Sequence, residues 1–171
     1  FFASDNGAAD QSLRGEGGGS NAPGRDYKRS LFEGGIHMPA AIRWPGRMPA
    51  GRNCDALTIA MDILPTVAEI AGAALPGDRV LDGRSWAPLF RDPDAEIRNE
   101  LYFEWDGQIA VRRGPWKLVV NAIVRKGETR GGRLTGDDSV FLANLEADPG
   151  EQRNLRASHP ELVTAMRAAF E

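Results

Sequence analysis

The sequence predicts a mixed α/β protein in which the last part of an α/β domain is followed by a small antiparallel sheet covered by a C-terminal helix. Three observations support this prediction. Residues 1–3 are apolar and lead directly into small and polar residues, as a strand does where it leaves an α/β sheet. Residues 62–71 have the spacing of a helix, and residues 101–145 contain short strands separated by turns.

The composition is that of a folded globular protein. Of the 171 residues, 42% are hydrophobic and 26% are charged, and these proportions exclude a disordered chain. The formal net charge of −3 provides no electrostatic basis for nucleic-acid binding. No apolar run approaches the length of a membrane span, and the single cysteine excludes an internal disulfide. We therefore expect neither a nucleic-acid partner nor a membrane span.

The turn that follows the first strand is a candidate metal site. Asp5 and Asn6 stand side by side at the strand end, which is where open α/β sheets bind ligands. Their oxygen atoms suit a hard divalent cation such as Ca²⁺ or Mg²⁺, and Gly7 permits a sharp turn. The dipeptide by itself favours the alternative, an Asx turn that binds nothing.

Residues 8–25 are predicted to form a loop with a glycine-rich run at 15–19. This run lacks the ending of a phosphate-binding P-loop, and Ser20 lacks the flanking strand and helix of a hydrolase nucleophile. Residues 36–43 are predicted as a short edge strand because Pro39 interrupts them. His37, within that strand, is assigned a structural role.

The clearest helix is predicted over residues 62–71. Asp62 is expected to cap it, Pro65 falls in its first turn, and Gly72 follows as a stop. Its apolar residues recur at helical spacing and are expected to pack inside the protein. They are Ala60, Ile63, Leu64, Val67, Ala68 and Ala71.

The C-terminal part is predicted to be a small sheet with one docked helix. Turn residues dominate 73–94, so we place a domain boundary there, with one unit at 1–94 and the other at 95–171. Ser158 and Glu161 form a capping box that opens the final helix, whose apolar side faces the sheet. The predicted strands are 101–105, 109–112, 116–120 and 140–145, with a long hairpin loop at 123–138.

Short motifs follow one another along nearly the whole chain. They are Ser4-Asp5-Asn6-Gly7, Arg25-Asp26-Tyr27-Lys28, Glu33-Gly34-Gly35, Trp44-Pro45-Gly46, Asp62-Ile63-Leu64-Pro65-Thr66, Asp82-Gly83-Arg84-Ser85-Trp86, Trp116-Lys117-Leu118 and Asp148-Pro149-Gly150-Glu151. In this order they resemble the C-terminal portion of the sulfatases, a family of the alkaline-phosphatase-like superfamily. One such motif is weak, but the whole series in one order is specific.

The resemblance implies a function and a set of site residues. Asp5 and Asn6 would be ligands of Ca²⁺ or Mg²⁺, and Lys28 would be the catalytic lysine that contacts the sulfate group. Its ammonium would neutralise charge on the ester oxygens in a water-poor site. Arg25 either assists in substrate binding or holds the loop by a salt bridge. The implied substrate is a small sulfate ester or a sulfated glycan, and sulfatases are commonly exported or lysosomal.

The family's nucleophile has no counterpart in this chain. It is a formylglycine made from Cys or Ser in a Cys/Ser-x-Pro-x-Arg motif, whereas Cys54 is followed by Ala56 and Thr58 at the Pro and Arg positions. The chain also opens within a strand. We therefore expect it to be part of a longer enzyme, with the formylglycine upstream of Phe1 in an N-terminal part of the same protein.

Two alternatives to a sulfatase remain open at this point. A phosphate or phosphonate ester hydrolase of the same superfamily would use similar residues, because both reactions place a metal and positive charge against tetrahedral oxyanions. The other alternative is a non-catalytic piece, either a binding module or a truncated product.

Overall fold

The computed structural model describes residues 1–9, 19–126 and 129–170. The glycine-rich run predicted at 15–19 therefore lies almost entirely outside the described residues. The chain divides into two compact units, one made of Phe1–Phe2 and Ala41–Asn99 and the other of Ala3–Ala40 and Glu100–Glu171. The boundary between 94 and 95 stays a prediction about domain organisation. Within the described part of the chain, no helix combines the length and apolar character needed to cross a bilayer.

The first unit is built around one helix. The short helix Glu33–Ile36 comes first in the chain and is called α1, so the helix of this unit is α2; a turn of 3-10 helix at Ala60–Asp62 leads into it. Helix α2 spans Ile63–Ala71 and ends at Gly72, whose φ of 66° completes the predicted stop. The apolar stripe predicted to be buried is largely exposed within this unit, with Leu64 at 55% and Val67 at 57%. That prediction is wrong for this chain because the buried residues of the helix are Pro65, Thr66 and Ala68.

Asp62 does not cap helix α2, contrary to the prediction. Its own backbone is helical, so its carboxylate is not placed over the first turn, and it forms no cap hydrogen bond. The carboxylate is instead fully buried, and Arg98 donates to both of its oxygens at 2.5 Å. Three further donors complete the cluster, which we call the Asp62 cluster: the backbone amides of Ile59 and Arg84 and the indole nitrogen of Trp86.

The surroundings of Asp62 favour its ionised form. Burial alone would raise the pKa of the carboxyl group, but the hydrogen bonds from Arg98, Arg84, Ile59 and Trp86 outweigh it and hold the pKa below its usual value. Every oxygen of this carboxylate has donors. The cluster therefore joins residues from 59 to 98 around one buried ion pair.

The second unit is organised by a four-stranded antiparallel sheet with the order β3-β4-β5-β8. The predicted strands are confirmed to within about one residue at each end. Turns at Asp106-Gly107 and Gly114-Pro115 separate the first three strands, as predicted. The range 123–138, predicted as a long hairpin loop, contains two further strands that pair antiparallel with each other. The strands are β3 at Glu100–Trp105, β4 at Gln108–Arg113, β5 at Trp116–Val120, β6 at Ile123–Lys126, β7 at Thr129–Arg133 and β8 at Val140–Asn144.

Side chains alternate between the two faces of this sheet, as the pleat requires. On one face Val111, Leu118 and Leu142 pack against Met166 of the C-terminal helix α3, which spans Pro160–Ala168. This confirms the predicted sheet and its docked helix. The capping box predicted there is not formed, because His159 occupies the N-cap position and makes no side-chain cap hydrogen bond.

The opposite face of the sheet is covered by the chain around residues 31–36. Leu31 and Phe32 pack with Ala110, Val119 and Phe141 in a second buried cluster. The Glu33-Gly34-Gly35 motif forms the start of helix α1, Glu33–Ile36. Of the strand predicted over 36–43, only β2, Ala40–Ala41, is formed. It pairs with β1, Phe2–Ala3.

Candidate functional site

The turn that carries Asp5 and Asn6 follows strand β1, as the sequence predicts. The Ser4 hydroxyl donates to the carbonyl oxygen of Asn6 at 2.8 Å, and the Gly7 amide donates to the carbonyl oxygen of Gly35 at 3.0 Å. These bonds hold the turn at both ends. The Asp5 side chain is exposed and the Asn6 side chain is half-buried.

Lys28 lies beside this turn in the folded chain. Its backbone amide donates to the carbonyl oxygen of Ala8 at 3.0 Å, so a residue 20 positions away meets the residue that follows Gly7. Asn21 reinforces the junction, because its side chain accepts from the Ala8 amide at 2.7 Å and donates to the carbonyl oxygens of Ala8 and Asp26. The structure therefore brings together the backbones of the two predicted site segments.

Close backbone packing makes this junction sterically demanding. A Cβ atom added at Gly7 would lie 1.9 Å from the carbonyl oxygen of Gly34, and one added at Gly34 would lie 2.1 Å from that of Asp26. No side chain fits at such distances. Gly7 therefore lets the Ser4–Gly7 turn pack directly against helix α1, and Gly34 lets helix α1 pack directly against the Arg25–Asp26 backbone that leads to Lys28.

The side chains of Asp5, Asn6 and Lys28 are free to meet a ligand. Among the residues that the structure describes, none of the three forms a side-chain hydrogen bond or an ion pair. Lys28 is exposed, like Asp5. Their convergence on one ligand remains a prediction.

The donor chemistry of Asp5 and Asn6 suits one part of a hard-cation site. A carboxylate and an amide supply oxygen ligands of the kind that Ca²⁺ and Mg²⁺ use, and such ions take at least six ligands. Within residues 1–9, 19–126 and 129–170, no three acidic, histidine or cysteine side chains are grouped so that they could hold a metal ion by themselves. The two residues therefore fit as contributors to a site that needs ligands from elsewhere.

Arg25 has the contacts of a residue that anchors its loop. Its guanidinium lies 4.2 Å from the ring centre of Phe32 and 4.8 Å from that of Phe141, and it donates to the carbonyl oxygen of Glu151 at 2.9 Å. The sequence left open whether Arg25 binds substrate or holds the loop. These contacts support the second role, through a carbonyl and two rings rather than a salt bridge.

The second unit also contains a buried charged cluster that the sequence did not predict. Lys117, on the central strand β5, is fully buried, and its ammonium lies 2.7 Å from Oε1 of Glu33 and 3.3 Å from Oε1 of Glu151. The Glu33 amide donates to Oε2 of Glu151 at 2.7 Å. We call these three residues the Lys117 cluster. Its residues occur in the sulfatase-like motifs, but no pattern in those motifs indicates that they are buried together.

The two carboxyl groups of the Lys117 cluster have opposite pKa shifts. Burial would raise the pKa of Glu33, but Lys117, His37 and Arg112 outweigh it and lower the pKa to about 2. For Glu151 burial dominates and raises the pKa, although Lys117 opposes it. Oε1 of Glu151 has no hydrogen-bond partner within the described residues, despite its 3.3 Å approach to the ammonium.

His37 lies at the exposed edge of this cluster. Its Nδ1 is 3.3 Å from Oε2 of Glu33, and its side chain is 75% exposed. The hydrogen bond to Glu33 raises the pKa of the imidazole. The structural role predicted for His37 fits this contact.

The comparisons with known proteins agree with this architecture. A family model described as N-sulphoglucosamine sulphohydrolase, C-terminal, matches residues 24–125. The crystal structure of the PsFucS1 sulfatase from Pseudoalteromonas sp. superposes with a TM-score of 0.76 at 26% identity, over 99% of this chain and 36% of that chain. The chain belongs to the sulfatase family and corresponds to a C-terminal portion of a sulfatase. The predicted fold class is thereby confirmed.

Curated relatives give the same result. The chain is 41% identical to steryl-sulfatase of Homo sapiens, over 100% of this chain and 33% of that protein. It is 34% identical to arylsulfatase A of Bos taurus, over 95% of this chain and 34% of that protein. The chain thus spans about a third of the length of these relatives.

Proposed function

We propose that this chain is the C-terminal part of a metal-dependent sulfatase that hydrolyses sulfate esters. In this proposal Asp5 and Asn6 supply two oxygen ligands of the metal, and Lys28 binds the sulfate group. The observation that carries it is the hydrogen bond from the Lys28 amide to the Ala8 carbonyl, which sets the lysine beside the metal-ligand turn. Membership of the sulfatase family supports the reaction class.

The chemistry assigned to Lys28 is electrostatic. Its ammonium would donate hydrogen bonds to the oxygens of the sulfate group and stabilise the negative charge that builds there as the ester bond breaks. Asp5 and Asn6 would hold Ca²⁺ or Mg²⁺, and such an ion, when bound, would supply further positive charge to the site. Lys28 would act on the non-bridging and the leaving-group oxygens of the ester.

The attacking group is assigned to an upstream part of the same enzyme. A formylglycine requires a Cys/Ser-x-Pro-x-Arg motif, and the only cysteine, Cys54, lacks both the Pro and the Arg. The metal ligands beyond Asp5 and Asn6 are assigned to that upstream part as well. The relatives' names range from steryl to N-acetylgalactosamine sulfatases, so the proposed substrates are sulfate esters as a class, small molecules or glycans.

The test uses the longer sulfatase polypeptide that carries this chain, with an aryl sulfate as substrate and added Ca²⁺ or Mg²⁺. We expect Lys28→Ala to lower kcat/KM by about a hundredfold, as removal of one oxyanion-stabilising donor does. Asp5→Ala is expected to raise the cation concentration needed for half-maximal activity. Arg153→Ala removes an exposed cation elsewhere and is the matched control.

Three results would count against the proposal. Equal activity of Lys28→Ala and the wild type would remove the lysine from the site. A preference for an aryl phosphate over the aryl sulfate would favour the phosphate ester hydrolase. Turnover by the 171-residue chain alone would show that the attacking group lies within it.

A further inference from the structure

Gln108 is a fully buried amide that touches the segment carrying Lys28. It is the first residue of strand β4 and is 0% exposed. Its Nε2 donates to the carbonyl oxygen of Arg29 at 3.0 Å. Its Oε1 accepts from the Ile123 amide at 2.9 Å and from the Leu31 amide at a longer 3.4 Å. One side chain therefore ties the residue after Lys28 to the antiparallel sheet.

The backbone of Arg29 has an unusual conformation that needs support from its surroundings. Its φ is 80°, in the left-handed region that residues other than glycine seldom adopt. Such conformations persist where the surroundings impose them, and they are common beside functional sites. The hydrogen bond from Gln108 reaches the carbonyl of this residue.

The other side of Lys28 is anchored too. Its amide is bonded to Ala8, and Ala8 is held by the side chain of Asn21. Lys28 thus stands between two anchors, one at the Asp5–Asn6 turn and one on the sheet. Its side chain, which is free of partners among the described residues, projects from a backbone fixed at both ends.

We propose that Gln108 is a positioning residue for Lys28. Through the Arg29 carbonyl it holds the lysine in the one backbone orientation that aims the ammonium at the sulfate group. This inference rests on the proposed function, because it assumes that Lys28 binds the sulfate group. A small displacement of a binding group can cost up to about a hundredfold in rate, so a buried amide behind the site can control the activity.

The test compares Gln108→Met with a structural control in the longer sulfatase polypeptide. Gln108→Met keeps the length of the side chain and removes all three hydrogen bonds. Asn154→Leu is the control, because Asn154 accepts from the Leu142 amide at 3.1 Å and donates to the Val140 carbonyl at 3.0 Å, away from the Lys28 segment. The readouts are the inhibition constant of inorganic sulfate, KM and kcat for an aryl sulfate, and hydrogen exchange of the Lys28 amide.

We expect Gln108→Met to weaken inhibition by sulfate about tenfold and to speed exchange of the Lys28 amide. Asn154→Leu should lower the unfolding midpoint while leaving both values unchanged. In a Lys28→Ala background, Gln108→Met should add little, since the group that it positions is gone.

Two outcomes separate this inference from the proposed function. If Lys28→Ala weakens sulfate binding and Gln108→Met does not, the positioning role is overturned and the function of Lys28 stands. If Lys28→Ala leaves sulfate binding unchanged, the proposed role of the lysine fails and the inference fails with it.

A second variant covers the case in which Gln108→Met does not fold. In Gln108→Glu the protonated acid can donate to the Arg29 carbonyl, whereas the carboxylate cannot. Sulfate affinity relative to the wild type should therefore recover as the pH falls. A constant ratio to the wild type at every pH would overturn the positioning role.

Discussion

The two units bury charge in opposite ways. In the Asp62 cluster one carboxylate meets a surplus of donors: a bidentate arginine, two backbone amides and an indole. In the Lys117 cluster two carboxylates share one ammonium, and one oxygen of Glu151 has no hydrogen bond within the described residues. The donors around Asp62 hold the pKa of its carboxyl group below its usual value, whereas burial raises the pKa of Glu151. The first cluster is therefore rigidly charged, and the second can change its protonation.

Asp62→Ala is expected to have the largest effect on stability. It leaves the buried Arg98 charge without a counter-ion and three N–H donors without an acceptor. Loss of one partner of a buried ion pair costs about 3–5 kcal/mol. Urea unfolding of the chain should show this loss at pH 7 and an equal loss at pH 5.5. A cost below about 1 kcal/mol would show that water replaces the carboxylate.

Lys117→Met should have a large effect that depends on pH. At pH 7 it leaves two buried carboxylates facing each other, and we expect a loss of about 3 kcal/mol. The loss should shrink as the pH falls, because protonation of Glu151, whose pKa is already raised by burial, removes one of the charges.

Arg98→Met is the matched control for Lys117→Met, since it removes the cation from the Asp62 cluster. Three donors still hold the Asp62 carboxylate there. Its cost should therefore stay nearly constant from pH 7 to pH 5.5. Parallel pH profiles for the two variants would contradict the difference between the clusters.

Acid should destabilise the second unit through Glu33. The pKa of Glu33 is about 2 in the folded protein against an ordinary value of 4.5. A carboxyl group with a lowered pKa stabilises the fold above pH 4.5, and that stability is lost as the pH falls towards 2. The shift corresponds to roughly 3 kcal/mol. The acid branch of the unfolding free energy should be correspondingly flatter in Glu33→Gln, measured by urea unfolding between pH 2.5 and 6.

His37 should contribute least. Its pKa is raised by Glu33, so its stabilisation is complete below pH 6.5 and is lost as the pH rises through the folded value. Because the side chain is 75% exposed, we expect only a few tenths of a kcal/mol. An NMR titration should show the His37 pKa falling in Glu33→Gln. An unchanged titration would mean that the imidazole does not sense the cluster.

The antiparallel sheet was predictable because its signals are local. Strands β3, β4 and β5 are short runs rich in apolar and aromatic residues, separated by turns at Asp106-Gly107 and Gly114-Pro115, and each observed strand lies within about a residue of the prediction. The end of helix α2 at Gly72 is equally local. The predicted roles of Asp62 and Ser158 as helix caps were wrong. The Asp62 carboxylate pairs with Arg98 instead, and His159 occupies the N-cap position of helix α3.

The sequence proposed residues for the candidate site but did not indicate the buried side chains that support them. The sulfatase-like motifs indicated Asp5, Asn6 and Lys28, whose joint role stays a prediction. Gln108 and Lys117 gave no signal, since a glutamine or lysine in an amphipathic strand is ordinarily exposed. Each is buried by a partner far along the chain: 79 positions away for the carbonyl of Arg29 and 84 positions away for Glu33.

The amino-acid sequence alone determined the positions of the sheet strands, the C-terminal end of the main helix and the family, because turn residues and short motifs act over a few neighbouring positions. Only the tertiary structure decided which charges are buried and which backbone segments meet. Such contacts join residues far apart in sequence, and burying a charge is tolerable only when the fold supplies its partner.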